Sequence, residues 1–544
     1  MKKIIIANII LLLFYTTQMG AQVTQEWVAT YNGVGVGSNV PRKSAVDKHG
    51  NIIIAGNSES SIDYDYIVLK YNPFGNLLWA KRYNGFVNRY DYLTDMVLDD
   101  SGNIYVTGES YVESSGGDLD WVTIKYKPNG DTAWVRSFEW TGGGPDEPFS
   151  ITLDNSNNVC ITGFCLASFT NGRDMVTAKY NSDGELQWAK SYSSSLIHGT
   201  DWGYSVVADD SNNIYSSGYG SIMNGNEIVT IKYNTNGDQI WIRKYPTLGA
   251  DYLRPILSTT DKSNNIIVNG MYYSFGDQYA FNTIKYNSSG DLLWNRIYKG
   301  DGNLNFCFAL CTDSSSNVYA AGRATSTGTG NDFVTIKYNQ FGDTSWIRVY
   351  DGGLEQGDEI RDIKVDNFQN VYVTGRTDST DGTSSYLTMK YDSSGIIRWI
   401  KKYGSPSYYD ASYCINVDNN NNIIVSGFSE LNSINASIRT IKYSQLTNIH
   451  MYNFGIINNY ELKNYPNPFN PATKISFTIK KNEFVKIVIY DIEGKKIETI
   501  IDRRYNSGNY NVIFNGNGLP TGIYFYSLFI NNNIIDTKKM ILIK

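Results

Sequence analysis

One segment, Asp-x-x-x-Asn-(Ile/Val)-x-x-x-Gly, recurs along most of this chain and restricts its fold more than any other feature. A clear copy runs from Asp99 to Gly108 and is followed by Thr123-Ile-Lys-Tyr126-Lys-Pro-Asn-Gly130-Asp-Thr-Ala-Trp134. The closing glycines are Gly56, Gly108, Gly163, Gly218, Gly270, Gly322, Gly375 and Gly427. Nine residues before each stands an aspartate, from Asp47 to Asp418, and five residues before each an asparagine, from Asn51 to Asn422. A Lys-Tyr pair recurs in step, ending at Tyr71 in the first copy and Tyr443 in the last. So does a tryptophan: Trp27, Trp79, Trp134, Trp188, Trp241, Trp294, Trp346 and Trp399. Eight copies of about 52 residues thus fill Trp27 to Tyr443. Such a unit cannot bury its apolar face alone and must stack on its neighbours.

Each copy reads as four short strands. In the second copy these are Thr94–Asp99, Ile104–Thr107, Val122–Tyr126 and Trp134–Phe138. Val122, Ile124 and Tyr126 alternate with Thr123 and Lys125, the period of a strand. Asp-Ser-Gly-Asn and Lys-Pro-Asn-Gly are turn chemistry. No segment keeps a helical period. Four strands per repeat predict an all-β fold: a β-propeller of eight four-stranded blades by repeat count, with seven as the alternative. The chain begins with a lone fourth strand at Trp27 and its last repeat stops at a third strand. The amino-terminal strand should therefore complete the last blade and cover its open edge.

Composition narrows the class of partner. Aromatic residues are 14% and charged residues only 18%, which suits a folded β-rich chain rather than a disordered one. A net charge of -6 argues against nucleic acid. Five cysteines and three histidines are too scattered for a zinc framework, and no metal or cofactor is expected. Cys160 falls on a core strand, and Cys307 and Cys311, placed on one strand face, read as core fillers. Residues 1–21 read as an export signal: Lys2-Lys3, an apolar run from Ile4 to Tyr15, and a small-residue region at Met19-Gly20-Ala21. No cysteine follows it, which argues against a lipid anchor, and no later segment is apolar enough to span a bilayer.

After the propeller (22–443) and a polar linker (444–463) comes Asn464-Tyr-Pro-Asn-Pro-Phe-Asn-Pro471, then six strands around glycine turns, which predict a small Ig-like β-sandwich over 464–544. The Val-Asp-x-x-x-Asn-Ile-Tyr-Val-Thr-Gly units resemble the seven-bladed β-propeller repeat family of secreted bacterial proteins. The proline-rich motif, Val488-Ile-Tyr-Asp-Ile-Glu-Gly494, Leu519-Pro-Thr-Gly-Ile-Tyr-Phe525 and Lys538-Lys-Met-Ile-Leu-Ile-Lys544 closely resemble the type A sorting domain of the type IX secretion system. That resemblance implies recognition of residues 464–544 by the type IX machinery and a final location that is secreted or on the outer cell surface.

Function is less legible. Seventeen residues before the closing glycine, five copies carry Asp91, Asp146, Asp201, Asp358 and Asp410, while the others carry Asn39, Leu253 and Asn305. With Tyr90, Tyr92, Trp202, Tyr252 and Tyr409 beside them, these carboxylates could hold a cation or stack on sugars at the channel mouth. A residue that repeats in every blade more often caps its own turn. The Asp/Asn pair of the first hairpin lacks the acids of a calcium loop and reads as a turn. His49, His198 and His450 lack triad partners, and no catalytic residue is assigned. The loops Tyr111–Asp118, Thr141–Pro148, Ser193–Asp201 and Met271–Tyr279 break the symmetry and are better candidates for recognition. Two rival functions follow: a non-catalytic binding or adhesion protein taking a glycan or surface protein, and a polysaccharide hydrolase or lyase using mouth carboxylates. A purely structural spacer is a third. The Asn-x-x-Gly-Asp-x-x-Trp turn also has the spacing of tryptophan-docking turns in quinoproteins, without their further motifs.

Overall fold

The computed structural model describes residues 23–544 except 34–36, 61–62, 86–88, 113–118, 141–143, 169–171, 195–198, 224, 248–255, 274–278, 327, 329, 353–356, 380–381, 405–407, 433–434, 446–461, 492–495 and 532. The export signal expected at 1–21 lies outside them, as do Leu253, Tyr252, His198, His450 and the centres of the four symmetry-breaking loops. The chain divides into two compact units, Met1–Leu446 and Thr447–Lys544.

Among the described residues the first unit contains eight four-stranded antiparallel sheets, each a meander. Blade 1 is Asn39–Val46, Ile52–Glu59, Tyr64–Tyr71 and Leu77–Tyr83. Blades 2 to 7 follow at 91–138, 147–192, 202–246, 257–298, 305–350 and 358–403. Blade 8 takes three strands from 410–445 and its outermost strand from Val23–Tyr31, which pairs antiparallel with Asn435–Gln445. The first strand of each blade packs on the first strand of the next, and that of blade 8 on that of blade 1, so the ring closes around a channel. The chain is an all-β propeller with eight blades, and the seven-bladed alternative falls.

The core is not one mass. It is eight slabs, each shared by two adjacent blades. Ile53, Ala55, Tyr66 and Val68 of blade 1 meet Leu93, Ile104, Val106 and Val122 of blade 2, for example. Second and third strands are therefore buried on both faces, and Lys70, Lys179, Lys232 and Lys285, on the face opposite the apolar alternation, are as buried as the rest.

These lysines explain the repeat motif. The Asp of the first hairpin accepts the backbone N–H groups two and four residues on and the side-chain amide of the repeat Asn, as Asp154 does from Ser156 (2.9 Å), Asn158 (2.9 Å) and Asn158 Nδ2 (2.8 Å). Where the second strand places Ile53, Cys160, Ile267 or Ile424 beside it, the lysine pairs with the aspartate, at 3.0 Å for Lys70–Asp47, 2.8 Å for Lys179–Asp154, 2.7 Å for Lys285–Asp261 and 3.3 Å for Lys442–Asp418. Where it places Tyr105, Tyr215, Tyr319 or Tyr372, the phenol donates to the aspartate at 2.9–3.2 Å and the lysine lies over the tyrosine ring at 4.9–5.2 Å. Ion pair and phenol are two ways to satisfy one buried carboxylate, and Asp209 uses both, with Lys232 at 3.5 Å beside the Tyr215 phenol.

The tryptophan links blades. Its indole N–H donates to a carbonyl in the third-to-fourth-strand turn of the next blade: Trp27 to Pro73 (3.1 Å), Trp134 to Ser182 (3.1 Å), Trp241 to Ser288 (3.1 Å) and Trp346 to Ser393 (3.2 Å). The turn glycine has positive φ, and its Cα lies so near that indole that a Cβ would clash, 2.7 Å for Gly75 on Trp27. Blade 8 has no such turn. There Trp399 donates to the side chain of Gln445 (3.2 Å), which also accepts from Lys390 (2.7 Å) and donates to Tyr372 and Asn421. The linker expected from Ser444 thus begins later, because Ser444 and Gln445 finish the blade.

The second unit has sheets of three and four strands whose facing apolar residues, from Leu462 through Phe477, Ile487 and Leu528 to Leu542, form one core. Its strands lie close to those expected, with a short added strand, Leu462–Tyr465, ahead of the proline motif. This is the small sandwich. The cysteines are free, and one expectation changes: Cys307 joins the slab between blades 5 and 6, and Cys311 the slab between blades 6 and 7. A β-bulge between Cys307 and Ala309 turns the strand over and puts them on opposite faces.

The two lysine arrangements differ in what truncation leaves behind. Lys285→Ala strands a fully buried Asp261 carboxylate and should cost on the order of 3 kcal/mol. Lys337→Ala leaves Asp313 hydrogen-bonded to Tyr319 and should cost clearly less in the same urea or thermal unfolding experiment.

Candidate functional site at the channel mouth

The carboxylates expected at the mouth are at the starts of the first strands, but they are buried. Asp91, Asp146, Asp201, Asp358 and Asp410 are 0–3% exposed. Asp146 accepts the backbone N–H groups of Trp140 (3.0 Å) and Leu166 (2.9 Å), and Asp201 those of Ser194 (2.6 Å) and Ser221 (2.9 Å). Asp91 accepts from Gly85 and Ser110, Asp358 from Gly352, and Ser384 Oγ donates to the Asp410 carbonyl. Asn39 and Asn305 occupy the same place with their amides bonded to neighbouring carbonyls. These side chains tie each incoming loop to its blade and present no ring of free oxygens. Burial raises the Asp91 carboxyl to about 6 against the pull of its donors.

What reaches the channel is three residues further on. In seven of the eight blades the first strand carries a β-bulge at this point. Bulges re-aim a side chain. The bulged residues are Arg42, Thr94, Phe149, Tyr204, Phe308, Arg361 and Tyr413, all half-buried, and all but Thr94 are aromatic or arginine. They touch their counterparts around the ring: Phe149 stacks on Tyr204 (4.9 Å, 30°), and Arg361 lies 5.4 Å from the Phe308 ring and 5.3 Å from that of Tyr413. This was not anticipated. The position varies between copies, but so do its neighbours on the first strand, so the sequence did not single it out.

Two regions differ in character. On blades 3 and 4, Trp202 stacks parallel to Phe149 (5.7 Å, 11°) and contacts Phe164 (4.9 Å) and Tyr204 (5.7 Å). Arg173 lies over Phe164 (4.6 Å) and Trp202 (5.3 Å). Trp202, proposed from sequence, is thus half-buried within an aromatic cluster. On blades 7, 8, 1 and 2, arginines alternate with rings: Arg361, Tyr413, Arg42 and Tyr92, the Arg42 guanidinium 4.6 Å from the Tyr92 centroid. Below them Lys43 pairs with Asp95 (3.4 Å) and Lys364 with Asp362 (3.2 Å). Both aspartates also accept a backbone N–H from the next blade, Ile151 (3.0 Å) and Ile415 (2.9 Å).

One pair breaks the repeat in charge. Between blades 6 and 7, Arg323 and Glu359 form an ion pair at 2.9 Å. The same two positions of blades 2 and 3 hold Glu109 and Glu147. Burial, and then the Glu147 charge, push the Glu109 carboxyl up to about 7; burial raises Glu147, opposed by Arg173. Elsewhere, Asp332, Asp351 and Asp358 bring ligand oxygens within 4.8 Å of one another. A surface depression of about 580 Å³ between blades 2 and 3 is lined by the repeat Lys125 and Trp134 and belongs to blade packing.

The family comparisons agree with this architecture. Residues 463–544 match the secretion system C-terminal sorting domain, and residues 348–383 match the beta-propeller repeat. An uncharacterized WD repeat-containing protein of Acanthamoeba polyphaga mimivirus is 25% identical over 471 residues, 67% of this chain, which spans 31% of that relative's length. Among solved structures, polysaccharide lyase Uly1 aligns with a TM-score of 0.41 and 8% identity over 74% of this chain and 90% of its own. A eukaryotic initiation factor aligns at 0.39 and 7% over 87% and 90%. An ulvan lyase aligns at 0.39 and 12% over 77% and 95%.

The raised Glu109 carboxyl has a consequence for stability. The native state binds its proton more tightly than the unfolded chain, so this group's contribution is full below the ordinary glutamate range and is lost as pH rises toward about 7. Glu109→Gln should flatten the fall in melting temperature between about pH 4.5 and 7, measured by thermal unfolding across that range. The sorting domain directs the chain to the outer surface or the extracellular space. The chain is a secreted protein whose eight-bladed β-propeller matches the beta-propeller repeat at residues 348–383 and whose residues 463–544 match the secretion system C-terminal sorting domain.

Proposed function

We propose that this is a non-catalytic binding protein that holds a glycan against the aromatic cluster of Phe149, Trp202 and Tyr204. The observation that carries the reading is the bulge: it presents a residue outside the repeat's structural code in blade after blade, and those residues are aromatic or arginine. Half-buried aromatic rings suit the apolar faces of sugars. Retention of the full-length mature chain on a glycan and polysaccharide array tests it. Trp202→Ala should weaken retention about tenfold; unchanged retention would remove this cluster from the reading.

A second reading rests on Glu109 and Glu147. Two carboxyls at one place, one of them raised to about 7, are what acid–base cleavage of a polysaccharide needs. Released fragments on the same array, abolished by Glu109→Gln while retention persists, would put this enzyme in place of the adhesin.

A further inference from the structure

Most described cations at this end of the channel have an acidic partner; Arg42, like Arg173 over Phe164, does not. Lys43 pairs with Asp95, Lys364 with Asp362, Arg323 and Arg361 with Glu359, and Arg376 approaches Asp378 at 3.7 Å. Arg42 has no ion pair and no side-chain hydrogen bond among the described residues, and its Nε is buried without a partner. It is nevertheless half-buried, at a bulge, with its guanidinium over the Tyr92 ring. Burial lowers its proton affinity; Tyr413 opposes this and Arg361 adds to it, and no carboxylate figures among the charges that bear on it. A desolvated guanidinium without an anion is costly, and it is pre-arranged to receive one.

We propose that the channel mouth takes an acidic polysaccharide, with one anionic substituent, a carboxylate or a sulfate, on Arg42 and the sugar rings on the neighbouring aromatic side chains. This rests on the glycan-binding reading and adds its chemical class. The lysines beneath are neutralised by Asp95 and Asp362, so the described residues offer a few separate cations without an ion pair, Arg42 on blade 1 and Arg173 on blade 3 among them, rather than a basic track. That fits a polymer whose charges are spaced sugar by sugar and not a nucleic-acid backbone, which is held through many phosphate contacts. The guanidinium lies over the Tyr92 ring, and its fork of N–H groups suits a planar or tetrahedral oxyanion bonded by two parallel N–H groups.

The test uses the full-length mature chain on three immobilised polymers: polygalacturonate for carboxylate, dextran sulfate for sulfate, and unsubstituted dextran. One or both charged polymers should retain it at least tenfold better than dextran, more weakly as salt rises. The better-retaining polymer identifies the anion. Arg42→Gln should lower affinity for that polymer about tenfold or more, and Arg42→Lys should restore part of it. Melting temperature is the second readout: removing an unpaired half-buried charge should leave it unchanged or raise it. A fall of several degrees in Arg42→Gln would make Arg42 a packing residue and overturn the proposal. Equal retention on dextran, insensitive to Arg42→Gln, would overturn the acidic class and keep glycan binding. No retention on any of the three would overturn both.

Discussion

The bond from each repeat tryptophan to the next blade, seven times to a turn carbonyl and at Trp399 to the Gln445 side chain, is the constraint on which the ring depends. Sheets with eight separate interfacial slabs have no common core to align them, so each blade must be told where its neighbour lies. The indole does this with one directional hydrogen bond and one face against a glycine that cannot carry a side chain. The repeat lysine of the same blade often donates to the same carbonyl, as Lys125 does to Ser182 at 2.9 Å. Aspartate, asparagine, lysine, tryptophan and glycine are thus one circuit that runs from a blade's inner hairpin to its neighbour's outer turn.

Because that circuit uses up the recurring polar residues, function falls to what does not recur. The mouth aspartates illustrate the division. Their number and placement suggested a ring of ligands, yet all are buried, and Asp91, Asp146, Asp201 and Asp358 accept backbone N–H groups of the loops they anchor. The bulge solves the opposite problem. It leaves pairing intact on either side while turning one side chain into the channel, and there the blades are free to differ. Arg42 and Thr94 sit at equivalent backbone positions and have nothing in common chemically.

Much of the fold was legible because period-two patterns, turn chemistry and eightfold repetition all agree, and because a lone outer strand at Trp27 matched a missing one after Tyr443. The sandwich was legible from its strand spacing and motifs. The site was only partly so. Trp202 was visible as an aromatic beside a mouth aspartate, but its stacking on Phe149 needs two blades brought together. Arg42, Glu109 and Glu147 gave no local signal: a bulge shifts the face of Cys311 relative to Cys307, and the same shift hides which first-strand residue meets the channel. Charge reversal between the Arg323–Glu359 and Glu109–Glu147 positions appears only once the blades are superposed in register.

The composite blade has a further consequence, for the order of events in folding. Thr24 and Ser444 are 420 residues apart in sequence yet hydrogen-bonded side by side. Blades 1 to 7 can each form from local hairpins as the chain appears, but the ring has no last interface until Gln445 is available. Until then the strand at Val23–Tyr31 has nothing to pair with, and the paired edge it will cover does not exist. Closure is therefore the slowest contact by sequence separation and, once made, the one that joins every other interface into a single cooperative structure. A chain cut short before the strand Asn435–Gln445 would leave Val23–Tyr31 without its partner and the ring open, with adhesive ends.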